Sequence, residues 1–573
     1  MKTWKRGHFN GQIGGLQLGH MIGLMIFGLV SYSMLILSYK VFSNLEIDTS
    51  FHNQSHRGFV APAIAYRHHD DEYKTPKPQI VTKSPDIRKV NISLDFPTSP
   101  NFTNYFVKSA KPYNLCDTLV VSIEARNTKN ESKLYGGDFF YAWIHSDELH
   151  ASAAADEIID HFNGTYTAKF RLHWTGQVKI TIMLIHSAEA IDVLKRIREQ
   201  FPARIRYRGE FKAEGQTPSV STHCHITTDF YIDPKDKFEN MTCNFTDEKT
   251  GFPWFCVKPK LLSCDTYFKH TSTWDEEYIG DLISEKEIRL YTSSEVVTST
   301  AMPIDVVPSN MSNNAAVSKC VAKELQACVL GATETRPDDS VAGFYFKDIW
   351  HSLVCHNREF TLPEITKCLQ NQTLYFLGDS TIRQWFYYFA RFILKDTIVE
   401  KLAVMSGFGP NFATDKTHDI HLKYIFHGYP IRKNTALVKD IKYMPNTIDD
   451  IVQENKVVVM ITIWAHFAGT NLTYYRNRLF KIRDSIQRLK SRNPSARVLI
   501  KSANTQAHAF RNAASWYFWA LDQVMREVMS GIENVTIIDV WDMTIGHHSG
   551  YHVHPEIGVI AQEINMLLSF LCS

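Results

Sequence analysis

The stretch that most constrains this chain is Thr373 to Ile393, TLYFLGDSTIRQWFYYFARFI. An apolar run, Leu374 to Leu377, stops at Gly378-Asp379-Ser380. Ile382, Trp385, Phe386, Phe389 and Ile393 then recur at the spacing of one helical face. The pattern predicts a strand, a tight turn and a helix, with Ser380 at the turn. A hydroxyl there lies just beyond a buried strand and at the positive end of a helix, which suits a nucleophile that must build up negative charge. The plainer alternative is that the serine only caps the helix.

Strand and helix patterns alternate from here to the C-terminus. His421 to His427 reads as a strand, and Lys456 to Trp464 (KVVVMITIW) is a β-branched run of the kind buried on both faces. A helix is expected over Tyr474 to Ser491, a strand over Arg497 to Ser502 and a helix over Trp516 to Met529. A strand over Val535 to Val540 and a last helix over Ile557 to Leu571 complete the series. Such alternation implies a three-layer α/β domain with a mainly parallel sheet, and in such domains chemistry collects beyond the carboxyl ends of the strands. Three predicted strands end near Ser380, His466 and the pair Asp539/Asp542.

The region before it has a different texture. Thr118 to Ala125, Asp138 to His145, Gly164 to Trp174 and Val178 to His186 alternate apolar and polar residues, as strands of an immunoglobulin- or filamin-like β-sandwich would. Residues 209–270 hold four cysteines among many Pro, Gly and aromatic residues, which reads as a disulfide-stapled extension. The expected division is a cytosolic tail (1–20), a transmembrane anchor (21–39) and a stem (40–89). The sandwich with its cysteine-rich extension (90–270), a connection (271–342) and the α/β domain (343–573) follow. The whole is a multidomain chain.

Met21 to Tyr39 carries no charge and is close to the roughly 20 residues that cross a bilayer. Lys2, Lys5 and Arg6 precede it, which orients the N-terminus to the cytosol and makes a single-pass type II protein; a cleaved signal peptide is the alternative. All ten cysteines follow this segment: Cys116, Cys224, Cys243, Cys256, Cys264, Cys320, Cys328, Cys355, Cys368 and Cys572. An even number in an oxidising compartment predicts disulfides, with the four from Cys224 to Cys264 pairing largely among themselves. No C-x2-C pair occurs, and no metal site is expected. Eleven glycosylation sequons, at Asn53, Asn91, Asn101, Asn130, Asn163, Asn240, Asn244, Asn310, Asn371, Asn471 and Asn534, also place the chain in the secretory pathway. Lys plus Arg (62) nearly balance Asp plus Glu (60), so no global charge draws in nucleic acid.

A nucleophilic serine needs a base. His547, His548, His552 and His554 cluster before the last helix, and His554, followed by Pro555, is the choice, with His552 next. Asp542 is the preferred orienting acid and Asp539 the other candidate. The oxyanion candidates are the Ser380 amide, Gly407 of the Ser406–Gly409 loop, and the side chains of His466 and Asn504.

The order of Gly-Asp-Ser after a strand, a glycine loop and a histidine before the last helix resembles the SGNH/GDSL hydrolases. The segment with Gly343-Phe344-Tyr345, Asp348, Trp350 and Cys355 resembles the PC-esterase branch. With the sandwich and its cysteine-rich extension in front, the chain over about residues 90 to 573 is similar to the NXPE family (neurexophilin and PC-esterase domain). The resemblance implies acyl-ester chemistry on glycans in the secretory pathway, by hydrolysis or O-acetyl transfer, with sialic acid as an acceptor and an acyl donor such as acetyl-CoA. It also implies residence in the Golgi lumen or at the cell surface. The Asp-x-x-His pattern of SGNH enzymes is not kept, since Tyr551 stands three residues before His554. A second expectation is therefore an inert adhesion or ligand protein that binds a cell-surface partner through its neurexophilin-like domain.

Overall fold

The computed structural model describes residues 94–572, less 228–240, 273–282, 309–315, 332–340, 396–407, 507–513, 548–551 and several shorter stretches. The anchor, the stem, Gly407, and the sequons Asn53, Asn91, Asn240 and Asn310 lie outside the described residues. What is described belongs to one compact unit that begins at Asp86. Among these residues no helix is long and apolar enough to cross a membrane.

Among the described residues, four sheets organise this unit. The first joins Asn104–Val107, Thr118–Glu124, Thr165–Arg171 and Glu157–Asp160, all antiparallel. The second is built on Phe139–Ser146 paired with Gly176–His186. Leu119, Val121, Ile123 and Phe170 of the first share a core with Phe140, Ala142, Ile144 and Ile182 of the second. Tyr166 meets Phe140 edge-on at 5.0 Å. Alternation in Thr118–Glu124 turns one face inward, as a half-buried antiparallel sheet requires, whereas Phe140 to Ile144 are buried without a break, so that strand is covered on both faces.

The second sheet also takes in strands from far along the chain. Ile304–Val307 pairs with Gly176–His186, so part of the predicted connection is a strand. Gly343–Phe346 pairs with Ile349–Ser352 on one side and with Ala151–Ala154 on the other. The segment expected to open the α/β domain is therefore hydrogen-bonded into a sheet of the preceding module. Short local patterns do not say which distant edge a strand will join.

The third sheet is the cysteine-rich one, formed by Thr242–Asn244, Phe255–Val257, Val220–His225, Tyr207–Phe211 and Tyr267–Ser272. Thr435–Leu437, from within the C-terminal part, adds to its edge. All ten cysteines are bonded; Cys224–Cys256 joins two neighbouring strands of this sheet, and Cys243–Cys264 ties its edge strand to the turn before Tyr267–Ser272. The other bridges are Cys116–Cys320, Cys328–Cys355 and Cys368–Cys572. Five such bridges are the mark of a secretory-pathway or extracellular protein.

The fourth sheet carries the candidate chemistry. An antiparallel edge strand, Asn411–Asp415, is followed in space by Ile420–Ile425, Gln372–Gly378, Val457–Thr462, Arg497–Lys501 and Val535–Ile538, all parallel. Gln372–Gly378 and Val457–Thr462 are buried along their whole length, as strands covered on both faces should be. The chain's first parallel strand here, Gln372–Gly378, lies between its second and its third. The connections leave in opposite directions at that point, which opens a crevice beyond its carboxyl end. Helix Leu472–Arg492 starts at Asn471, whose side chain accepts the Tyr474 amide, and buries Tyr475, Leu479, Ile482, Ile486 and Leu489 on one face.

Cys368–Cys572 closes a span of 204 residues and ties the C-terminus to the helix before Gln372–Gly378. Replacing both cysteines by alanine should cost about 2–5 kcal/mol of stability. The check is a thermal melt of the purified protein, and an unchanged midpoint would show that the bridge contributes nothing.

Candidate active site

Ser380 is the first residue of helix Ser380–Tyr388, and Asp379 is its cap. The turn depends on Gly378. Its φ of +146° disfavours any side chain, and a Cβ there would stand 1.8 Å from the Thr462 carbonyl oxygen of the neighbouring strand. Asp379 is completely buried and fully used. Its Oδ1 accepts the Thr381 amide and hydroxyl at 2.9 and 2.7 Å. Its Oδ2 accepts the amides of Trp464 and Ala465 at 3.3 and 3.1 Å. One carboxylate thus caps the serine helix and anchors the turn that leads to His466.

The Ser380 hydroxyl oxygen lies 2.6 Å from Nε2 of His554. Residues 552–556 form neither helix nor strand, so the histidine is held by side chains from elsewhere. Asn504 Nδ2 donates to the Val553 carbonyl at 3.0 Å, and Gln384 Nε2 donates to the Pro555 carbonyl at 3.0 Å. Asn504 Oδ1 in turn accepts from Lys501 Nζ. Lys501 is buried with Glu563, and Trp385 Nε1 donates to Glu563 Oε2 at 2.5 Å. Burial raises the Glu563 carboxyl and lowers the Lys501 ammonium from their ordinary pKa values, while each one's charge opposes the shift of the other.

His466 Nδ1 accepts the backbone N–H of Arg432 at 2.8 Å. Burial first, then the charges of Arg432 and Arg383 and the neighbouring His554, hold its pKa well below the usual value. A neutral ring whose Nδ1 accepts must carry its proton on Nε2, so His466 is left as a hydrogen-bond donor within electrostatic reach of His554. Arg383 also hydrogen-bonds Tyr424. The charges of two guanidinium groups therefore act on a histidine donor that is itself uncharged.

The acid candidates have a different setting from the predicted one. Asp542 is not at a strand end but on the short helix Trp541–His547. Its Oδ2 accepts the Ala342 amide at 2.8 Å, and its charge acts on Arg526 and on Asp156. Asp539 faces Arg526 at 3.0 Å and accepts the Trp541 amide. Asn504, read as an oxyanion donor, spends an amide hydrogen on the Val553 carbonyl. Among the described residues no group of three or more His, Cys, Asp or Glu side chains could hold a metal ion.

Arg383, Gln384 and Arg432 were not singled out from sequence. For the first two a signal existed. The apolar helical face at 382, 385, 386 and 389 leaves 380, 383, 384 and 387 on the opposite side, beside the serine. Arg432 lies 52 residues further on, in a loop with no pattern of its own.

Gly378→Ala should destabilise the protein by on the order of 3 kcal/mol or more, through backbone strain and the clash with Thr462 together. Chemical denaturation measures this, and a variant as stable as the parent would show that the close approach is not obligatory.

Two family models match the chain. One is described as "NXPE family member 4-like, C-terminal domain" and covers residues 350–572. The other is described as "Neurexophilin" and covers residues 107–285. The first holds Ser380, His554 and the residues that bond to them; the second holds most of the first two sheets and of the cysteine-rich sheet. With both matches present in this order, the chain belongs to the NXPE family.

Proposed function

We propose that this protein is a lumenal O-acyltransferase or esterase of glycans, with O-acetyl as its acyl group and Ser380 and His554 as its catalytic pair. The single observation that supports this most is the 2.6 Å approach of the Ser380 hydroxyl to His554 Nε2, at the end of a buried parallel strand and the start of a helix. The 2-1-3-4-5 order of the parallel strands, with the serine at the crevice, agrees with an SGNH-type layout for this domain.

In this reading the Ser380 oxygen attacks the acyl carbonyl while His554 takes the hydroxyl proton. The tetrahedral oxyanion is met by the Ser380 amide and the His466 Nε2–H. Collapse expels the leaving group, which takes the proton from His554, and leaves the acyl group on Ser380. A sugar hydroxyl or water then attacks the ester; His554 accepts its proton and returns it to the departing Ser380 oxygen. A thioester such as acetyl-CoA is a suitable donor. Arg383 and Arg432 beside His466 favour an acceptor bearing a carboxylate, which sialic acid does. The proposed setting is the Golgi lumen or the cell surface, with the Met21–Tyr39 segment as anchor.

Mass spectrometry of O-acetylated sialic acids on cell-surface glycans should show product with the parent protein. With Ser380→Ala or His554→Ala it should fall by about 10³-fold or more. Asp542→Asn distinguishes two forms of the site: a loss near 10⁴ makes Asp542 the triad acid, and a loss under about tenfold leaves a serine–histidine pair. Undiminished product from the serine and histidine variants would remove the C-terminal domain as catalyst and favour the adhesion reading.

A further inference from the structure

The residues flanking His554 are gripped from two sides, and both grips lead back to the helix that carries Ser380. Gln384 sits one turn along that helix and donates to the Pro555 carbonyl at 3.0 Å. Asn504 donates to the Val553 carbonyl at 3.0 Å. Asn504 is itself set by Lys501, Lys501 faces Glu563, and Glu563 accepts from Trp385, which lies on the Ser380 helix next to Gln384. Lys501, Asn504 and Glu563 are all within 1% of complete burial. A buried polar chain of this kind has little freedom, because any displaced member would lose its partner away from water.

We propose that Gln384 and Asn504 are positioning residues that clamp the carbonyls on either side of His554 and so set its imidazole against the Ser380 hydroxyl. The proposal rests on the acyl-transfer reading of this site. Residues 552–555 lie outside any helix or strand, and these two amides hold the carbonyls on either side of the histidine that makes the 2.6 Å approach. The amide orientation follows from chemistry: only the NH2 end of each side chain can face a carbonyl oxygen. Both jaws are referenced to one rigid element, so the serine and the histidine keep their separation even though they lie 174 residues apart in the chain.

The test uses the full lumenal chain with a fluorophosphonate probe, following the labelling rate of Ser380 across pH, alongside thermal melting. Gln384→Met keeps the length and bulk of the side chain and removes the donor. It should label about ten- to a hundredfold more slowly, the scale of an ångström of misplacement. Its labelling–pH profile should be displaced while its melting temperature stays at that of the parent. Asn504→Leu should behave likewise in its folded fraction, with a lower melting temperature because Lys501 loses a partner. A Gln384→Met protein that labels at the parental rate with the parental pH profile would overturn the clamp, and so would a lower melting temperature with an unmoved profile. If the parent itself labels no faster than His554→Ala, the acyl-transfer reading fails, and the clamp falls with it.

Discussion

A single buried carboxylate ties the candidate site together. Asp379 has no exposure to solvent, and a carboxylate in that position is tolerable only if its oxygens are saturated with donors. They are, by two groups of Thr381 and by the amides of Trp464 and Ala465. Those four bonds join the ends of two adjacent parallel strands, so the start of the serine helix and the turn bearing His466 form one piece. Gly378 makes this junction possible, because any side chain there would strike the Thr462 carbonyl.

The site is also braced by the cysteine-rich sheet, though all its strands but Thr435–Leu437 end by Ser272, far before Ser380 in the chain. Trp254 stacks on Tyr429 with centroids 4.0 Å apart, the Tyr267 and Tyr429 hydroxyls are 2.8 Å apart, and His270 Nε2 lies 3.0 Å from the Ile431 carbonyl oxygen. From the other side the buried Arg478 donates to the Tyr429 carbonyl at 2.8 Å. The loop so held ends at Arg432, whose amide fixes the tautomer of His466. The neurexophilin-matching part meets the C-terminal part elsewhere as well: the Tyr517 hydroxyl donates to the Leu194 carbonyl at 2.8 Å, and Ser152 to that of Gly546 at 2.6 Å. The neurexophilin-like part and the C-terminal part are built as one body, and geometry at Ser380 draws on both.

The local elements of the C-terminal part were legible because each obeys a short-range rule. The β-branched run at Val457–Thr462 announces a strand covered on both faces, and the 3-and-4 spacing after Ser380 announces a helix with one apolar side. Gly-Asp-Ser at their junction, and a histidine followed by proline before the last helix, were enough to name Ser380 and His554 as a pair. An even number of cysteines after the apolar N-terminal run pointed to disulfides, and the short spacing of Cys224 to Cys264 pointed to pairing among themselves.

Tertiary structure alone decided what those residues touch. That Gly343–Phe346 joins the sheet built on Phe139–Ser146, that Asp542 lies on a helix and serves the Ala342 amide, and that Asn504 supports the histidine loop are all contacts between distant segments. Arg432 reaches the site from a loop with no periodic signal. A local pattern encodes the face a residue turns to the core. The polar partner it finds is settled when separate elements pack and every buried donor and acceptor must be satisfied at once.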